Sequence, residues 1–129
     1  MGYPNELKYT REHEWVKADG KTATVGITNY AQEQLGDIVF VELPKVGAEV
    51  SKGTSFGTVE SVKSVSEIFA PVTGKVAAIN EALATAPEKI NNDAHGSWMI
   101  RIEVKDPAEL NGLLSAADYE KFIAEEQGK

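Results

Sequence analysis

Gly57-Thr58-Val59-Glu60-Ser61-Val62-Lys63-Ser64-Val65-Ser66-Glu67-Ile68-Phe69-Ala70-Pro71-Val72-Thr73-Gly74 sets two β-prone arms around a centre of small residues. A hairpin over about 57–74 is predicted, turning at Lys63. Most lysines are solvated surface residues. One lifted on an exposed turn differs from one lying flat on a sheet, because a modifying enzyme can reach it.

Working outward, Val46 to Ile79 holds short β-prone pieces interrupted by Gly47, Gly53, Gly57, Pro71 and Gly74, the rhythm of a small sandwich or barrel. Val46-Gly47-Ala48-Glu49-Val50 and Val72-Thr73-Gly74-Lys75-Val76 resemble each other loosely and hint at pseudo-symmetry. Upstream, His13 to Ile27 reads as a hairpin around Ala18-Asp19-Gly20-Lys21, since Asp-Gly supplies the positive φ of a tight turn. Asn29–Leu35 is predicted as a short helix capped by Asn29, with Gln32 three residues on and Gly36 as its left-handed stop. Ile38 to Leu43 reads as a buried strand ended by Pro44. Downstream, Trp98, Ile100, Ile102 and Val104 alternate with Met99, Arg101, Glu103 and Lys105, which puts the first set on one buried face. The period then changes over about 106–126. Asp106 caps a first helical turn opened by Pro107, and Ser115 a second whose apolar stripe is Tyr119, Phe122 and Ile123. One domain over 1–129 follows from the length, because two independent units would each bury too little surface.

Composition narrows the function. Thirteen Lys+Arg against twenty Asp+Glu gives a net charge of −7, unsuited to nucleic acid, whose binding draws on clustered cations. An acidic surface suits docking on basic protein faces. The absence of cysteine excludes disulfide scaffolds, cysteine-rich zinc sites and thiol nucleophiles. No apolar run approaches the roughly 20 residues that span a bilayer. Met1 to Lys8 shows neither a signal peptide nor an Arg-rich transit pattern, so a cytoplasmic protein is expected, or a matrix protein if this is a processed organellar form. Gly-x-Ser-x-Gly and the phosphate-binding Gly-x-x-x-x-Gly-Lys-Ser/Thr loop are both missing. Of the two histidines, His13 lies between Glu12 and Glu14, but strand alternation would turn it away from both acids, so no metal site is expected. Packing or surface hydrogen bonding is the better reading of His13 and His95. Glu125-Glu126 reads as solvated charge, and Trp15 and Trp98 as core.

Glu60-Ser61-Val62-Lys63, followed by Ala70-Pro71-Val72-Thr73-Gly74, with Gly47 sixteen residues before the lysine and Gly74 eleven after it, resembles the lipoyl-attachment hairpin of the glycine cleavage system H proteins. Leu7-Lys8-Tyr9, His13-Glu14-Trp15-Val16, Val25-Gly26-Ile27-Thr28, Leu35-Gly36-Asp37, Val39-Phe40-Val41-Glu42-Leu43-Pro44 and Gly96-Ser97-Trp98 also look like this family's signatures, in its order. The resemblance implies a mainly β, barrel-sandwich hybrid (lipoyl/biotinyl-domain-like) fold with short helices, including a C-terminal helical segment. It implies lipoate in amide linkage to Lys63 of a non-catalytic, monomeric carrier. The arm would accept an aminomethyl group from the pyridoxal-phosphate glycine decarboxylase and present it to the tetrahydrofolate-dependent aminomethyltransferase. Dihydrolipoamide dehydrogenase would reoxidise it through FAD to NAD, and a lipoate-attaching enzyme would load it. It further implies Glu14 and Glu67 as acids near the loaded arm. Where relatives often carry histidines, this chain has Tyr30 and Gln34, and Gln34 can hydrogen-bond the arm without changing charge near neutral pH.

Three other readings compete. A biotin carrier would present Met-Lys-Met, where Val62-Lys63-Ser64 stands. A 2-oxo acid dehydrogenase lipoyl domain would show Asp-Lys-Ala and an Ala/Pro-rich linker. An enzyme of another class would need a sizeable pocket with convergent polar groups. Within the family, a lipoyl-relay donor to other lipoyl domains is the alternative role.

Overall fold

The structure is a computed structural model and describes residues 3–127; the ends of the predicted 1–129 span, residues 1–2 and 128–129, lie outside the described residues. Nine strands form two antiparallel sheets. The larger has the order β1 (Lys8–Tyr9), β2 (Glu14–Asp19), β3 (Thr22–Ile27), β9 (Ile100–Val104), β8 (Gly74–Ile79) and β5 (Glu49–Val50). The smaller is β4 (Ile38–Glu42), β6 (Ser55–Ser61) and β7 (Val65–Phe69). No strand pairs across the two, so the expected hybrid takes its sandwich form rather than a closed barrel. Inward residues of both sheets, among them Val16, Val25, Val41, Val59, Ile68, Val76 and Ile102, make one core.

The β2–β3 hairpin forms as predicted, with Asp19 opposite Thr22 and Gly20 at φ +62°. The two similar segments pair with each other. Glu49 faces Lys75 and Val50 faces Gly74, and Gly47 N–H donates to Val76 O while Val76 N–H donates to Ala48 O. Gly74 also lets β8 lie close on its other neighbour, β9, because a Cβ there would collide with the Glu103 carbonyl and meet Ile102 Cγ2 at 2.7 Å.

Helix α1 spans Asn29–Leu35, but its cap is Thr28, not Asn29. Thr28 is extended and its Oγ1 accepts from Ala31 N–H, whereas Asn29 is already helical and bonds Gln32 Nε2 through its side chain. Gly36, at φ +82°, ends the helix as predicted. A second correction concerns β4, which is not buried throughout: Ile38 and Val41 face the core, while Val39 and Phe40 are exposed beside a register shift. The third is Met99, which is buried rather than facing out with Arg101. It precedes the strand, its N–H donating to Val25 O, so alternation starts only at Ile100.

Between β8 and β9 lie two short helices, α2 (Ala82–Thr85) and α3 (Lys89–Asn92). After β9, Asp106 accepts from Ala108 N–H to open a 3-10 turn over Pro107–Gly112, and Ser115 caps helix α4 (Ala116–Gln127) through Asp118 N–H. Tyr119 and Ile123 of α4 close a second apolar cluster with Leu7, Tyr9, Trp15 and Tyr30.

Candidate functional site

Lys63 stands at the exposed tip of the β6–β7 hairpin. Ser61 builds the turn beneath it. Its buried Oγ accepts from Lys63 N–H at 3.3 Å and Ser64 N–H at 3.1 Å, and its own N–H donates to Ser64 O. Val62 N–H donates to Asp37 O, which moors the tip to the segment after α1. Asn91 fixes that segment in turn, accepting from Ile38 N–H and donating to Gly36 O and Gln32 Oε1. The Lys63 stem lies over Gly36, with Cε 3.3 Å from where a Cβ would stand. Asn91 was not marked by the sequence, and Asp37 only as part of the Leu35-Gly36-Asp37 signature, since each acts through a contact distant along the chain.

Next to Gly36, Gln34 and Leu35 line a cavity of about 320 Å³ with Tyr30, Ser66, Ile68, His13 and Glu126. Here His13 Nε2 meets Glu126 at 3.0 Å, His13 Nδ1 meets Tyr119 Oη at 2.8 Å, and Tyr119 Oη meets Thr28 Oγ1 at 2.7 Å. A neutral imidazole satisfies the whole chain, donating from Nε2 and accepting at Nδ1 from the phenol, which accepts from Thr28. Burial pulls His13 below its ordinary pKa, against the opposing pull of Glu126 and Glu12. His13 has φ +71° and precedes the strand, so the alternation expected to separate it from the acids does not apply. The result ties α4 to the cap of the helix that ends beneath Lys63.

Glu14 lies elsewhere, lining a separate cavity of about 280 Å³ with Thr10, Glu12 and Phe69. Only 1% of it is exposed. It accepts from Thr10 Oγ1 at 2.6 Å and from Phe69 N–H at 3.2 Å, so it joins the base of the hairpin to β2. Burial pushes its carboxyl up to about 7, with those two hydrogen bonds working in the opposite direction. Glu67 faces outward on β7, in register with Thr58 and Glu42, away from the Ser66 and Ile68 side that lines the Gln34 cavity. The structure thus puts Gln34 in the cavity beside the segment on which the Lys63 stem lies, buries Glu14 at the base of the hairpin and sets Glu67 on the outer face of the sheet. Glu60 lies exposed on β6, and Gly74 is a packing residue of β8.

Glu14 yields a pH prediction. A raised carboxyl makes the folded state the better proton binder between pH 4.5 and about 7, so its contribution to stability falls as pH rises through that window and is flat above it. The drop is on the order of 3 kcal/mol. Urea unfolding of the wild type and Glu14→Gln across pH 4–8 isolates it, because the histidine titrations are common to both. The wild type should lose stability relative to the variant from pH 4.5 to 7; a constant difference would contradict the shift.

The glycine cleavage H-protein family model matches residues 7–126. The chain belongs to that family. It is 67% identical to the glycine cleavage system H protein of Koribacter versatilis, over 99% of both chains, and 62% identical to that of Acidobacterium capsulatum, with the same coverage. A crystal structure of the glycine cleavage system H protein of Mycobacterium marinum superposes with a TM-score of 0.87 at 38% identity, covering 95% of this chain and 99% of that one. H proteins are the lipoyl carriers of glycine cleavage, and the family assignment gives this chain that role. Among the described residues, no group of His, Cys, Asp and Glu is arranged to hold a metal, and no helix is long and apolar enough to cross a membrane.

Proposed function

We propose that Lys63 is the attachment point for lipoate and that the chain acts as one non-catalytic carrier unit, its partners doing the chemistry. The observation that carries this is Lys63 itself, exposed at the tip of a hairpin anchored by Ser61 and Asp37, in the motif Glu60-Ser61-Val62-Lys63. The site fits the group. No carboxylate lies within ion-pair distance of Lys63 among the described residues, and its stem rests on Gly36, where any side chain would crowd it. When attached, the lipoyl group supplies a disulfide that accepts the aminomethyl unit derived from glycine.

The chain supplies presentation. Ser61, Asp37 and Asn91 hold the tip rigid, so that mobility is confined to the arm and a high local concentration of it is offered to each visitor. Gln34 offers a neutral hydrogen-bonding group beside the arm's root. The visitors are the glycine decarboxylase, the aminomethyltransferase, dihydrolipoamide dehydrogenase and a lipoate-attaching enzyme. The acidic chain suits basic docking faces on them, and we place the protein in the cytoplasm.

Peptide mass mapping of the protein from lipoate-replete cells tests the reading. One lipoyl adduct is expected, on the peptide containing Lys63. An adduct on another lysine, or a bare Lys63 after treatment with a competent lipoate-attaching enzyme, would overturn it.

A further inference from the structure

Five large apolar side chains are exposed among the described residues, and four of them, Val39, Phe40, Val62 and Val65, lie on the hairpin that bears Lys63 or on the strand paired with it. The fifth, Val46, lies in the loop before Gly47. The clustering follows from register. Val41, Val59 and Ser66 form an inward row of the three-stranded sheet, and the next row, Phe40, Glu60 and Val65, points out. The row on the other side of the inward one, Glu42, Thr58 and Glu67, also points out. Val62 stands on the tip and Val39 in the register shift of β4. These apolar residues are 50–68% exposed, an unusual cost for a face with no partner within its own chain. Glu60 and Asp37 stand among them at the lysine end and Glu42 and Glu67 farther back, all exposed, so acidic groups intersperse and rim the apolar patch.

We propose that this outer face of the three-stranded sheet is the docking surface for the enzyme that acylates Lys63, a protein whose contact region is an apolar groove rimmed by basic side chains. The inference rests on Lys63 being the attachment site. An acylating enzyme must hold the ε-amine in its active centre, so its contacts fall on whatever surrounds that lysine. Here that is Phe40 and Val65 across one strand, with three glutamates positioned to meet cations. The aromatic ring, half-exposed and central, is the natural anchor of such a contact.

The test measures lipoylation of the apo protein by a purified lipoate–protein ligase with lipoate and ATP, for wild type, Phe40→Ser/Val65→Ser, Glu42→Gln/Glu67→Gln and Val46→Ser. All these positions are exposed, and circular dichroism checks that each variant is folded. For Phe40→Ser/Val65→Ser, KM for the carrier should rise about tenfold with kcat little changed. Glu42→Gln/Glu67→Gln should flatten the salt dependence of kcat/KM, and Val46→Ser should match wild type. An unchanged KM in the apolar pair, with wild type normally modified on Lys63, would overturn the docking surface and leave the attachment site standing. No modification of Lys63 in wild type would overturn both. Self-association of wild type in sedimentation, abolished by Phe40→Ser, would assign the face to a second copy of the chain instead.

Discussion

Replacing Lys63 by arginine is expected to abolish glycine decarboxylation supported by this protein while leaving its fold intact. Arginine keeps the charge and length of the side chain, but its guanidinium stays protonated and does not take up an acyl group under conditions where a lysine amine does. Structural cost should be slight, since the side chain is exposed and its close neighbour is the bare backbone of Gly36. Stability within about 0.5 kcal/mol of wild type is therefore expected, as for an ordinary surface substitution. The check is glycine-dependent carbon dioxide release with the purified decarboxylase and added carrier, beside urea unfolding of both proteins. Residual activity in a folded Lys63→Arg protein would place the arm on another residue.

The second large effect lies far from the tip. Gly74→Ala should destabilise the fold by about 3 kcal/mol, because the new methyl meets the Glu103 carbonyl inside the β8–β9 ladder and neither strand can retreat without losing its pairing. Gly20→Ala provides the comparison. Gly20 has positive φ but nothing within 4 Å of an added Cβ, so only the left-handed backbone penalty of about 1 kcal/mol applies. Denaturant midpoints and slopes for the two variants separate collision from conformation. Equal losses would show that Gly74 is retained for backbone freedom rather than for close approach.

Much of this arrangement was legible from local signals. The Asp19-Gly20 turn, the alternation read from Trp98 to Lys105 and the apolar stripe of α4 each follow from a period or a turn residue; the turn and the stripe formed where expected, and the alternation held over Ile100–Val104. The placement of Lys63 at a hairpin tip was legible in the same way, from two β-prone arms around small residues. The misses came where neighbours distant in sequence decide the outcome. A continuous apolar run such as Ile38-Val39-Phe40-Val41 reads as buried on both faces. Only the sheet's open outer side reveals that Phe40 is exposed. Glu14 is buried because Thr10 and the Phe69 amide enclose it, and no periodicity encodes that enclosure. The cap of α1 passed from Asn29 to Thr28 by a shift of one residue, since both types can cap and the tie from Thr28 to Tyr119 depends on α4.

The sheet bearing Lys63 shares no strand pairing with the six-stranded sheet, and the two are held together chiefly by the side chains between them. Ladder bonds are directional, whereas the burial of apolar surface is not. A load applied at the hairpin must therefore cross that seam, through the Glu14–Phe69 hydrogen bond and the apolar side chains between the sheets, before it reaches the six-stranded ladder.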